Sequence, residues 1–144
     1  MAITQAMTTQ LKIDILSGTF NPSHTFKVAL YTVTATLDAT TTIYTTTGTT
    51  YEVVGTGYTA GGTAVTVTTS PTNGGSGAIA YLSFSNPSWT TATILARGAL
   101  IYDVTNSNHA IAVLNFGTDQ SSTAGTFTIQ MPTADATNAI IRIA

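Results

Sequence analysis

Apolar and polar side chains alternate with a period of two through most of this chain, which is what a strand with one buried face requires. The alternation begins at Leu11, where Leu11, Ile13 and Ile15 share one parity and Lys12 and Asp14 the other. It resumes over residues 26–34, with Phe26, Val28 and Leu30 facing one way and Lys27, Ala29 and Tyr31 the other. Residues 63–69 set Val65 and Val67 against threonines, and residues 78–85 align Ala80, Leu82 and Phe84. Five more segments follow at 89–96, 98–104, 109–116, 126–131 and 139–143. No segment sustains an apolar period of about 3.6. A short helix competes only over 92–100, and Gly98 opposes its extension.

Turn-forming residues punctuate these segments: 18–23 with Asn21-Pro22, 70–77 with Pro71 and Asn73-Gly74-Gly75, and Asn86-Pro87. Residues 35–62 are the least regular. They hold threonine clusters at 40–42, 45–47 and 49–50, a short piece at 51–54 and the Gly-rich stretch 55–62. One or two short strands and a loop with several positions open to positive φ are expected there. Residues 1–9 show no period and read as an extended N-terminal arm. Turn signals every ~8–12 residues predict an all-β protein. The expected architecture is a single-domain antiparallel β-sandwich, jelly-roll or Ig-like, with about nine or ten short strands over residues 10–144.

Composition narrows what such a fold does. Of 144 residues only 7% are charged, against about 25% in typical soluble domains. Threonine replaces the missing charge, and its β-branched side chain suits the polar face of a strand. Six acids and four bases give a net charge of −2. No basic stripe is available to release counterions from a phosphate backbone, so nucleic acid is not an expected partner. A surface this close to neutral favours association, as suits a subunit of an assembly. The absence of cysteine excludes disulfides, thiolate metal sites and thiol nucleophiles. No run reaches the ~18 apolar residues of a membrane span, so no membrane partner is expected. The first residues lack the basic and apolar regions of a secretion signal, and a soluble chain is expected.

Candidate chemistry is sparse. Acid–base catalysis needs a His or a carboxylate pair with a partner that tunes it. The chain holds His24, His109 and six acids, Asp14, Asp38, Glu52, Asp103, Asp119 and Asp135, each isolated in sequence. No Gly-x-Ser-x-Gly elbow is present, and no catalytic residue or cofactor is assigned. Asp38, Asp103, Asp119 and Asp135 fall at expected loops or strand ends where oxygen ligands converge on Ca²⁺ in other proteins. Aspartates capping their own turns explain them more simply, and no metal is assigned. The Gly-rich stretch lacks the Lys-Ser/Thr pair of a phosphate cradle. Tyr44, Tyr51, Tyr58 and Trp89 are candidate surface aromatics for stacking a sugar, with cross-strand packing as the competing role.

Binding through backbone and apolar surface remains. Strands 26–34, 98–104 and 109–116 carry apolar residues on both faces, so a second sheet or a neighbouring subunit must cover the second face. Residues Ala2, Ile3, Thr4, Gln5, Ala6 and Met7 are the candidate docking arm, since an uncharged extended segment can add to an exposed sheet edge.

Several stretches together carry a family likeness: residues 12–16, Thr25-Phe26-Lys27-Val28-Ala29-Leu30-Tyr31, residues 35–40, Gly55-Thr56-Gly57-Tyr58-Thr59-Ala60-Gly61-Gly62, residues 96–102 and the closing 127–143. In this order the chain resembles a family of small virion structural proteins of tailed bacteriophages. The resemblance implies a head decoration or cement protein, often a homotrimer. Its partner would be the major capsid protein, on the capsid surface of a virion assembled in the bacterial cytoplasm. It carries no catalytic motif. A tail or fibre module binding a host-surface glycan through the four aromatics is the alternative.

Overall fold

In the computed structural model, which describes residues 2–45, 51–74 and 77–144, Thr8 and Gly18 bracket a helix where the alternation at Leu11 predicts a strand. The Thr8 side-chain oxygen accepts a hydrogen bond from the Leu11 N–H at 3.1 Å, and Gly18, at φ 73°, closes the other end through the Asp14 and Ile15 carbonyls. These are a helix N-cap and a left-handed C-terminal cap. The helix between them is α1 (Thr9–Ser17). Its sequence satisfies both periods. Leu11, Ile13 and Ile15 alternate, but Leu11, Asp14 and Ile15 are spaced three and four apart, and that set faces the domain. Leu11 and Asp14 are buried while Ile13 is 52% exposed. Nine residues are too few for a helix to stand alone in water, so packing holds it.

The strands are β1 (Ala6–Met7), β2 (Phe26–Tyr31), β3 (Thr63–Val65), β4 (Val67–Asn73), β5 (Ala80–Phe84), β6 (Ser88–Asp103), β7 (His109–Thr128) and β8 (Ile141–Ile143). Two antiparallel sheets result, one of five strands in the order β1-β7-β6-β2-β3 and one of three in the order β4-β5-β8. The protein is all-β. The chain passes between the sheets at Thr66, over 85–87 and again over 129–140, and the first two crossings lie side by side, with the Ser85 N–H donating to the Thr66 carbonyl at 2.8 Å.

Several expected boundaries shift. Segments 89–96 and 98–104 are one strand, β6, which also absorbs the region where a short helix competed. Segment 109–116 runs on through 117–125 as β7. The two pair as a long hairpin from Ser88↔Thr128 to Asp103↔His109, with register shifts on the way. The Thr, Ser and Gly residues of 117–125 stay within the strand instead of ending it. Positive φ at Thr91, Gly117 and Ala124 takes up the irregularity as bulges do, without loss of pairing. The strand expected over 26–34 ends at Tyr31. Pro71 lies inside β4, which its missing N–H permits because β4 is an edge strand. Residues 46–50, with most of two threonine clusters, and Gly75 and Ser76 of the 70–77 loop lie outside the described residues.

Core side chains cover both faces of the five-stranded sheet. On one, Phe26, Val28 and Leu30 pack with Leu82 and Phe84 of the smaller sheet, the Phe26 and Phe84 rings 5.2 Å apart. On the other, Ala29, Tyr31, Leu100 and Tyr102 are covered by Ile3, Ala35, Leu37 and Tyr44. The irregular segment 35–44 is thus the chain's own second layer. It is tied down by the Tyr44 N–H donating to the Asn108 carbonyl and the Ala110 N–H donating to the Thr42 carbonyl, both at 2.9 Å.

Residues 2–7 are extended, but they belong to the sheet of the domain. Ala6 and Met7 pair with Val113 and Ala112, Ile3 bridges Leu37, and the Thr4 N–H donates to the Leu37 carbonyl at 2.8 Å. Ile3 is buried. The backbone groups expected to reach a partner are in part engaged at home.

Candidate functional site

The four candidate aromatics do not form a surface platform together. Tyr44 and Trp89 are each 6% exposed and Tyr58 is partly buried, whereas Tyr51 is 42% exposed. Tyr44 stacks on Tyr102 with ring centroids 4.3 Å apart, and Trp89 packs between Tyr58 and Phe127 at 5.9 and 6.0 Å. Their apolar area is worth more in the core than in water, so the cross-strand packing role prevails.

Glu52 gathers the hydroxyls of this group. The Tyr58 hydroxyl donates to Glu52 Oε1 at 2.6 Å, the Tyr44 hydroxyl to Oε2 at 2.9 Å and the Gly61 N–H to Oε1 at 2.7 Å. Tyr58 also accepts from the Leu30 N–H at 2.9 Å, and the Tyr102 hydroxyl donates to the Gly61 carbonyl at 2.7 Å. Burial, followed by the negative charge of Glu52, pushes the Tyr102 pKa up to about 12. Burial and Glu52 raise Tyr31, Tyr44 and Tyr58 further still. The network therefore holds protonated phenols donating to one carboxylate, which anchors the Gly-rich loop against β2 and β6. It is a structural clasp built around an acid that looks isolated in sequence.

Both histidines meet buried aspartates. His24 Nδ1 lies 2.7 Å from Asp103 Oδ2, and His109 Nδ1 lies 3.0 Å from Asp14 Oδ2. Asp103 is 0% and Asp14 2% exposed. Asp103 also accepts from the Asn106 N–H at 3.1 Å, and Asp14 from the Gln10 side-chain amide at 3.0 Å. The partners stand 79 and 95 positions apart, so no local pattern announces them. Each pair ties an element near the start of the fold to the β6–β7 hairpin.

The remaining aspartates serve their own turns. Asp38 accepts from the Thr40 hydroxyl and N–H, which together hold its carboxyl below the usual range. Asp135 accepts from the Asn138 side chain and N–H and from the Thr137 N–H, with the same effect. Asp119 pairs with Arg97 at 2.7 Å. Asp38, Asp103, Asp119 and Asp135 do not converge, and no cluster of three or more potential metal ligands occurs among the described residues.

What the surface does offer is a groove beside α1. Leu11, Ile15 and Phe20 on one side and Leu82, Ile141 and Ile143 on the other line an apolar hollow of about 270 Å³. It continues past Ile15 and Ile143 to Met7, Lys12, Leu16 and Arg142. From Met7 and Arg142 it runs on between β1 and the residues leading into β8, over Ala112 and Val113. Leu16 is 88% exposed on its rim, as is Ile13 on the outer face of the helix at 52%. Sequence reasoning missed this surface because it placed α1 in a sheet.

No family model, curated protein or solved structure matches the chain.

Proposed function

We propose that this chain is a structural protein of a tailed-bacteriophage virion, a head decoration protein that docks on the major capsid protein as a homotrimer and stabilises the head. The observation that carries this proposal is the apolar groove beside α1, flanked by two outer strands on a charge-poor surface. Such a surface suits another polypeptide: apolar side chains fill the hollow and backbone groups complete the sheet edge. The likeness of residues 25–31, 55–62 and 127–143 to small virion proteins supports the particle as the setting. In this proposal the two sheets are the halves of a β-sandwich closed around the Phe26–Phe84 core. Docking falls to the α1–β8 face, because residues 2–7 are built into the domain and present only the outer edge of β1 there. A glycan-binding tail module loses support, since Tyr44, Tyr58 and Trp89 stack on one another or on the core.

Imaging of particles made with and without this protein tests the proposal. Density for trimers spread over the head, lost with the protein and accompanied by heads that rupture at lower temperature, is the expected result. Density confined to the tail overturns it.

A further inference from the structure

Resting on that docking role, we infer that the groove along β8 receives an extended acidic segment of the partner protein, which pairs with the β8 edge as an added strand. The backbone argument comes first. β1 and β8 are outer strands of their respective sheets, and residues of both line the same hollow. Each outer strand presents backbone groups that a further strand can satisfy, so a segment laid between them meets hydrogen-bonding partners along its length. Side chains of an added strand alternate, and one set would face the apolar hollow of Leu11, Ile15 and Ile141.

Charge decides what else the segment carries. Lys12 and Arg142, two of the four bases in the chain, both line this groove and are both exposed. The acid on α1, Asp14, is buried and turned to His109. Asp135 attracts Arg142 but is itself held by Asn138 and Thr137. Lys12 has no ion-pair partner among the described residues. The groove thus offers outward positive charge in an otherwise nearly uncharged surface, and a carboxylate on the incoming strand complements it. A second copy of this chain fits poorly, because its acids are scattered singly and are occupied in turns or in pairs.

The test uses the full chain and two short synthetic peptides of alternating valine and serine, one carrying aspartates and the other lysines at the same polar positions. Hydrogen exchange of the chain is followed with each peptide. The expected result is slower exchange at residues 5–7 and 138–143 with the aspartate peptide alone, and a reversed preference in the Lys12→Glu/Arg142→Glu variant. Both side chains are exposed, so the variant should fold, its melting temperature lowered slightly by loss of the Arg142 hydrogen bond to the Ala136 carbonyl and by repulsion from Asp135. Equal protection by both peptides, protection by neither, or protection confined to β3 or β4 overturns the inference. The same variant is also added to particles lacking the protein, where a loss of occupancy of about tenfold or more relative to wild type supports it. Equal occupancy overturns the surface and leaves the virion role standing. Wild-type protein that fails to bind particles overturns the virion role, and the peptide experiment still decides the groove.

Discussion

His24 Nδ1 lies 2.7 Å from Asp103 Oδ2, joining the loop before β2 to the last residue of β6. Asp103 is fully buried, and among the described residues its side chain meets this imidazole and the Asn106 N–H. A carboxylate in that position is costly to leave alone, so the loop is held wherever the charge is satisfied.

His24→Ala should therefore destabilise the fold. Removing His24 leaves a buried Asp103 oxygen without its partner, which costs about 1–3 kcal/mol. Urea unfolding of His24→Ala, Asp103→Asn and the double variant checks this, with the double costing clearly less than the sum. Strict additivity would mean that the two groups do not depend on each other.

The Glu52 network makes the fold sensitive to alkali. Tyr31, Tyr44, Tyr58 and Tyr102 hold their protons more tightly when folded than the ordinary tyrosine value of about 10. Above that pH the unfolded chain binds fewer protons than the folded one, so stability is retained below about pH 10 and falls as pH rises beyond it. Melting temperature against pH, followed together with tyrosinate absorbance, should show these phenols ionising as the structure opens. Glu52→Gln should lower stability at neutral pH by about 1–3 kcal/mol, since an amide cannot accept at both oxygens as the carboxylate does.

Two glycines of nearly equal φ separate backbone conformation from crowding. Gly18 has φ 73° with open space where a side chain would go, and Gly62 has φ 72° with the Val28 carbonyl oxygen in that place. Gly18→Ala should cost about 1–2 kcal/mol, the ordinary penalty for a left-handed alanine. Gly62→Ala should exceed about 4 kcal/mol, because the loop must move off β2. Equal losses in chemical denaturation would refute the crowding at Gly62.

Much of the fold is legible in the chain because the β period is local. The alternation at 26–31, 80–84 and 98–103 marks β2, β5 and the end of β6, and the Gly-rich stretch does place Gly57, Gly61 and Gly62 at positive φ. The helix was missed for a local reason as well: at Leu11-Lys12-Ile13-Asp14-Ile15 both periods fit, and the caps Thr8 and Gly18 decide between them. The candidate site was less legible. Burial of Tyr44 and Trp89, the His–Asp pairs and the hollow lined by both β1 and β8 all depend on contacts between distant parts of the chain. Composition says nothing of where such a groove lies.

The placement of Thr8 has a consequence for the order of events during synthesis. Its N–H donates to the Ile111 carbonyl at 3.0 Å and its hydroxyl to the Ala110 carbonyl at 2.6 Å, about a hundred positions later. Ile3 and Thr4 can meet Leu37 as soon as it is made, but Ala6, Met7 and Thr8 have their partners in β7, which follows them by about a hundred positions. The seam between β1 and β7 therefore closes only once β7 has been made, among the last contacts of the sheet to form.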